Sequence, residues 1–241
     1  MGKHMIKYSD KIIEFKLQRK NVKNINLNVR PDMTIVVSAN ENVPLDFIMN
    51  FVKGKAPWIL KNVNYFKDVQ PENTLIKDYV SGESFKYLGK QYRLKVEEVE
   101  GNETVKYYQG FIYIYVKDKC NHKRKEKLII DWFREKAEIN FEESLERIYQ
   151  IIEKYGIKKP QIHIRTMKAR WGSCIKDKGI ILLNFELIKA PKFCIDYVVL
   201  HELIHFKNRN HNFEFYNFMT SLMPDWKQRK EILDEEVVRE L

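Results

Sequence analysis

His201, Glu202 and His205 form a His-Glu-x-x-His run in the C-terminal part of the 241-residue chain. On an α-helix, residues i and i+4 lie one above the other on one face, so the two imidazoles can hold a single metal ion. Glu202 is turned about 100° from His201. It misses the metal but reaches a metal-bound water, whose proton it can take as general base once zinc has lowered that water's pKa to about 7. A catalytic zinc takes three protein ligands and keeps one position open. His211 is the candidate third ligand, with Glu214 as the alternative or as a partner to a ligand. On an unbroken helix His211 would point about 120° away from His205. The helix must therefore end between them. The His201 to His211 spacing equals that of the pattern H-E-x-x-H-x-x-G-x-x-H, with Asn208 where that pattern has Gly, and Asn tolerates the left-handed turn that ends helices. Zinc is the expected ion, although other divalent ions also suit three imidazoles.

The elements that must position these groups are visible as a change of character along the chain. Residues 1–127 read as β-rich with one helical segment. Ile12–Leu17, Asn21–Val29 and Thr34–Ser38 alternate or are β-branched. Pro44 opens a helical stretch from Leu45 to about Phe66, with Pro57 as its expected break. Residues 70–78 read as a linker. A second run of hairpins follows at Tyr79–Leu88, Gln91–Val99, Val105–Tyr108 and Phe111–Val116, with turns at Gly89-Lys90, Gly101-Asn102 and Gln109-Gly110. Residues 117–127 are a charge-dense connection. From residue 128 the chain turns helical: Leu128–Tyr155 is amphipathic and closed by Gly156. Gln161–Arg165 and Ile180–Phe185 are short strands joined by a hairpin-like connection. Pro191 stands at the first position of the helix carrying the histidines, and Phe213–Leu222 and Asp225–Glu240 complete the set. The His-Glu-x-x-His run follows Tyr197-Val198-Val199-Leu200, which places it on a buried helix rather than a charged surface one.

Composition sets outer limits. Apolar residues make up 44% and aromatics 13%, a globular profile rather than a disordered one. No apolar run approaches the roughly 20 residues a membrane span needs, and the N-terminus lacks a secretory h-region. Met1–His4 read as an appendage ahead of Met5, so His4 is set aside. Cys120, Cys174 and Cys194 are odd in number with no Cys-x-x-Cys spacing, which fits a reducing cytoplasm better than a disulfide framework. Cys174 and Cys194 read as small packing residues, and His122 and His163 as loop and strand residues. The net charge of +10 is uneven: residues 1–70 carry a surplus of +6, 71–130 of +3, and 131–241 of +1. A basic N-terminal region can attract a nucleic acid or a nucleotide; a solvated lysine-rich surface is the plainer account.

The block from about residue 160 to 230 resembles the YgjP-like metallopeptidase family. The matching residues are Ile164-Arg165-Thr166-Met167-Lys168, Arg170-Trp171-Gly172-Ser173-Cys174, Leu183-Asn184, Ala190-Pro191, Asp196 through His205, Asn210-His211, Pro224-Asp225-Trp226 and Arg229. Trp58-Ile59, Ser81-Gly82-Glu83 and Tyr87-Leu88-Gly89-Lys90 extend the likeness upstream. The family is similar to zincin-type peptidases, including SprT-like and WLM-type proteases. The resemblance implies His201, His205 and His211 as zinc ligands and Glu202 as catalytic base. Asn212 departs from the Ser that relatives often carry there, which bears on a helix cap rather than on the metal. Arg170 has a permanent, forked charge suited to an oxyanion, carboxylate or phosphate, or to a structural ion pair with Asp196. Tyr216 is a further candidate electrophilic helper.

The expectation is an α+β protein: a β-rich region over 1–127 and a zincin-like helical catalytic domain over 128–241. It is a zinc-dependent peptidase acting on a peptide or protein, with no membrane association. Ile180–Phe185, or its neighbour, is the strand expected to pair with substrate. Two alternatives use the same residues: a nucleoside triphosphate pyrophosphatase, and a DNA-associated protein with a structural metal site. The sequence is silent on oligomeric state.

Overall fold

In the computed structural model residues 2–29, 33–69, 77–167 and 170–238 are described. They form an α+β fold in two compact units, residues 1–73 and 74–237, each with its own core. Among the described residues no helix is long and apolar enough to cross a membrane.

The first unit holds strands β1 (Gly2–Tyr8), β2 (Lys11–Arg19), β3 (Asn26–Val29) and β4 (Ile35–Ala39), then helices α1 (Leu45–Gly54) and α2 (Ala56–Val69). Alternation decides β2: Ile13, Phe15 and Leu17 turn inward and their neighbours outward. The sheet order is β1-β2-β4-β3, two antiparallel pairs joined by a parallel β2–β4 seam. Gly2–His4 are part of the sheet, paired with Phe15–Leu17, and the His4 ring stacks on Phe15. Two expectations shift. Residues 21–25 are not strand although they alternate; only Asn26–Val29 pairs with β4. Pro57 does not break the helical stretch. The break is at Lys55, and Pro57 sits in the first turn of α2, where its missing N–H costs nothing. Most of the expected linker, residues 70–76, lies outside the described residues.

The second unit opens with β5 (Ser84–Tyr87), β6 (Lys90–Glu98), β7 (Thr104–Tyr108) and β8 (Phe111–Val116), in the order β5-β6-β8-β7. This repeats the connectivity of the first sheet, with β6 and β8 as the parallel seam. Residues 79–83 precede β5 without being strand. The buried face of β8 (Ile112, Ile114, Val116) shares a core with α3 (His122–Ile152), whose Ile129, Phe133, Ala137, Phe141, Leu145, Ile148 and Ile152 recur at helical spacing. That helix starts six residues before the expected Leu128, because Asn121 caps it by accepting from the Arg124 amide. Gly156, at φ 78°, closes the turn after α3.

The three remaining strands, β9 (Gln161–Arg165), β10 (Gly172–Ile175) and β11 (Ile180–Asn184), form a sheet in the order β10-β11-β9. Helix α4 (Lys192–Ile204) lies in the same core and is buried almost all round, from Cys194 to Ile204. Its start is fixed by the β5–β6 hairpin. The amides of Leu88 and Gly89 donate to the carbonyls of Ile188 and Lys189, and a Cβ on Gly89 would stand 2.7 Å from Pro191 Cγ. Helices α5 (Phe213–Leu222) and α6 (Trp226–Val238) complete the unit.

Candidate metal centre

His201 lies in the last turn of α4 and His205 is its C-terminal cap. The helix stops there because the amides of Phe206, Lys207 and Asn208 fold back to the carbonyls of Leu203 and Ile204. Asn208 does this without a left-handed conformation, which corrects the expected turn. The chain then doubles back to His211. Asn212 caps α5 by accepting from the Phe215 amide, so the departure from Ser keeps the cap. Together these elements bring one nitrogen from each of His201, His205 and His211 within 4.8 Å of one another.

Second contacts decide what those nitrogens can do. His205 Nδ1 lies 3.1 Å from the Asn208 carbonyl oxygen. A carbonyl only accepts, so Nδ1 carries a hydrogen and Nε2 is the nitrogen left for a ligand role. His201 Nε2 and His211 Nε2 are 2.8 Å apart. Burial first, then the neighbouring His205 and His211, pushes His201 down to about 3. Burial and His205 also lower His211. Imidazole nitrogens gathered in this way are the donor set a borderline-soft divalent ion takes. The Phe215 ring packs 4.8–5.0 Å from all three imidazoles, a dry floor to the cluster.

The Glu202 side chain lies against Gly172 of β10 and is 5% exposed. The Arg170 charge and the Cys174 backbone both favour its charged form. Burial outweighs both and raises Glu202 to about 8. Asp196 does not serve Arg170 as an ion-pair partner; its Oδ1 is held by Ser144 Oγ at 2.6 Å and Arg147 Nη2 at 2.9 Å. The Tyr216 ring is part-exposed, stacked between His211 and Trp226. Glu214 is exposed in the first turn of α5 and is not part of the histidine cluster. His163 lies in β9, and His122 begins α3 with Nε2 2.8 Å from the Lys77 carbonyl oxygen. Burial, with Glu202 nearby, raises the Cys174 thiol to about 11. Cys194 is buried with its thiol toward the Arg229 carbonyl.

Phe215 and Asn184 are the site's unforeseen members. Phe215 stands four residues after His211, but His211 precedes α5, so no helical spacing marks it as a neighbour. Asn184, 2% exposed, clasps the segment leading to β10, and only the folded chain brings those residues together.

Residues 23–236 match the family model described as YgjP-like, metallopeptidase domain. No curated protein matches the chain. Among solved structures, the metallopeptidase zymogen abylysin of Pyrococcus abyssi is 26% identical, with 39% of this chain and 89% of that one covered and a TM-score of 0.34. The metallopeptidase zymogen jannalysin of Methanocaldococcus jannaschii is 25% identical, with 39% and 83% covered and a TM-score of 0.32.

Proposed function

The chain belongs to the YgjP-like metallopeptidase family, and from that premise we propose that its metal is zinc, held by His201, His205 and His211, with Glu202 as general base in peptide-bond hydrolysis. The observation that carries this reading is the convergence of three imidazole nitrogens within 4.8 Å, one residue along the chain from a buried carboxylate. A zinc ion held there supplies a Lewis acid that polarises a carbonyl and brings the ionisation of water toward neutral pH.

The chain's own groups do the rest. Glu202, a buried carboxylate one residue from a ligand, is the proton carrier. It takes a proton from the attacking water and returns it to the leaving amide nitrogen. Arg170, whose permanent charge acts on this carboxylate, would favour the developing negative charge. Tyr216, whose ring stacks on His211, is our candidate to donate a hydrogen bond to the oxyanion. An extended substrate pairs along β10, the neighbour of β11 (Ile180–Asn184) and an edge strand of its sheet. The three free cysteines fit a reducing cytoplasm. A nucleic acid or nucleotide partner, if one binds, meets the basic first unit, where Lys20, Lys55 and Trp58 line a cleft of about 660 Å³.

The test is a single incubation of zinc-loaded protein with an unstructured protein mixture and the common nucleoside triphosphates, read by mass spectrometry beside Glu202→Gln. New peptide termini that vanish in the variant are expected. Pyrophosphate release with every peptide intact would replace the peptidase by a nucleotide hydrolase.

A further inference from the structure

Strand β10 faces Glu202 with an absence, at Gly172, and with the Cys174 backbone. A Cβ on Gly172 would stand 2.7 Å from both Cγ and Oε1 of Glu202 and 2.9 Å from its Cδ, closer than real side chains approach. Two residues on, the Cys174 backbone lies near enough to the same carboxylate to favour its charged form. The pairing with β11 explains why these two positions face α4. The Asn184 amide donates to the Trp171 carbonyl at 2.9 Å, which makes 171 and 184 a hydrogen-bonded antiparallel pair. Alternation then turns the backbone polar groups of residues 172 and 174 away from β11.

Asn184 also fixes where this ledge begins. Its Nδ2 donates to the carbonyls of Met167 at 2.9 Å and Arg170 at 3.1 Å. Its Oδ1 accepts from the amides of Met167 at 3.2 Å and Glu186 at 3.3 Å. A single buried side chain therefore ties the approach to β10, at Met167 and Arg170, to the end of β11.

We propose that Gly172 and Asn184 are positioning residues for Glu202: Gly172 leaves the room the carboxylate occupies, and Asn184 holds the backbone run that brings Gly172 and the Cys174 backbone near it. The consequence for turnover rests on Glu202 being the general base; the placement of the carboxylate does not. A buried carboxylate on a helix end has several rotamers, and misplacement of a reacting group by about 1 Å costs on the order of a hundredfold in rate.

The three cysteines make the placement readable without any turnover. Labelled with ¹⁵N-cysteine, the full-length zinc-loaded protein gives three cysteine amide signals, and Cys174→Ala assigns the relevant one. Glu202→Ala moves that signal to its position without the carboxylate. Gly172→Ala is expected to move it toward the same position while the Cys120 and Cys194 signals, which report an intact fold, stay in place. Asn184→Asp, which keeps the acceptor but loses both donated bonds, is expected to move it part of the way and serves as the second variant should Gly172→Ala not fold. In both variants kcat falls, in Gly172→Ala by about a hundredfold, while KM and zinc content hold. A Cys174 signal unmoved in the folded variants overturns the proposal, and so does a moved signal with unchanged kcat. A moved signal in a protein that cleaves no peptide upholds the placement and sinks the peptidase reading instead.

Discussion

His205 fixes its own tautomer before any ion arrives, because its Nδ1 hydrogen is committed to the Asn208 carbonyl. The three imidazoles are thus arranged to gain from an ion, and ion binding becomes folding stability: at a thousand times Kd it adds about 4 kcal/mol. Zinc is expected to raise the thermal midpoint of the wild type, and His211→Ala to lose most of that rise together with its zinc content, measured by calorimetry and elemental analysis. An equal rise in the variant would remove His211 from the ligand set. Cys174 gives a second expectation at this scale. With its thiol raised to about 11, only about one molecule in a thousand is thiolate at pH 8. Peptide mapping after brief iodoacetamide treatment should find the exposed Cys120 alkylated well before Cys174; equal rates would contradict the burial of Cys174. The spacing of His201, Glu202 and His205 is legible in the sequence because one helical turn is a local rule. The role of Asn184 is not, since its partners at Met167 and Arg170 meet it only through the pairing of β10 with β11.

Elements show the same division between local and distant causes. The long helix α3 is plain from its repeat, but its start is hidden in the charge-dense run 117–127, where a capping side chain outweighs composition. Residues 21–25 alternate like a strand yet have no partner in β4, and alternation without a partner does not make a strand. Glu103, in the turn before β7, shows how such starts are held. Its carboxylate accepts from the Lys117 amide at 3.0 Å and from Arg124 Nε at 2.6 Å, and these two bonds hold it below the usual carboxylate range. A depressed carboxyl contributes stability above its unfolded pKa, and that contribution fades as pH falls through the folded value. Glu103→Gln is therefore expected to lower the urea midpoint at pH 7, with the gap to wild type closing below the carboxylate range. A gap independent of pH would mean that the bonds to Lys117 and Arg124 do not carry the effect.

At the scale of the whole molecule the change from strands to helices falls near residue 128, whereas the compact units part at 73/74. Strands β5–β8 share one core with α3, as Leu94, Ile112 and Ile114 cluster with Ile129 and Phe133. A core, rather than a kind of secondary structure, is what folds as a unit. Every residue of the histidine cluster and of the ledge beneath Glu202 belongs to the second unit. A fragment of residues 77–238 is therefore expected to fold cooperatively and to bind one zinc, checked by circular dichroism melts and elemental analysis. A fragment that melts without a transition would show that this core needs the first unit.

The shared connectivity of the two four-stranded sheets has a consequence in time. Each consists of two antiparallel pairs joined along a parallel seam, β2–β4 in one and β6–β8 in the other. A hairpin closes a short loop and forms in about 1–10 μs, while a parallel seam must first bridge the intervening strand and gains nothing until it does. The hairpins are the early structure, and the two seams close late. In pulsed hydrogen exchange, amides of the β5–β6 pair should gain protection before those that bond across β6 and β8; the reverse order would mean that the seam seeds the sheet. Until each seam closes, β2, β4, β6 and β8 bear open edges, so the period of greatest exposure to misassembly is set by the strands that end up most enclosed.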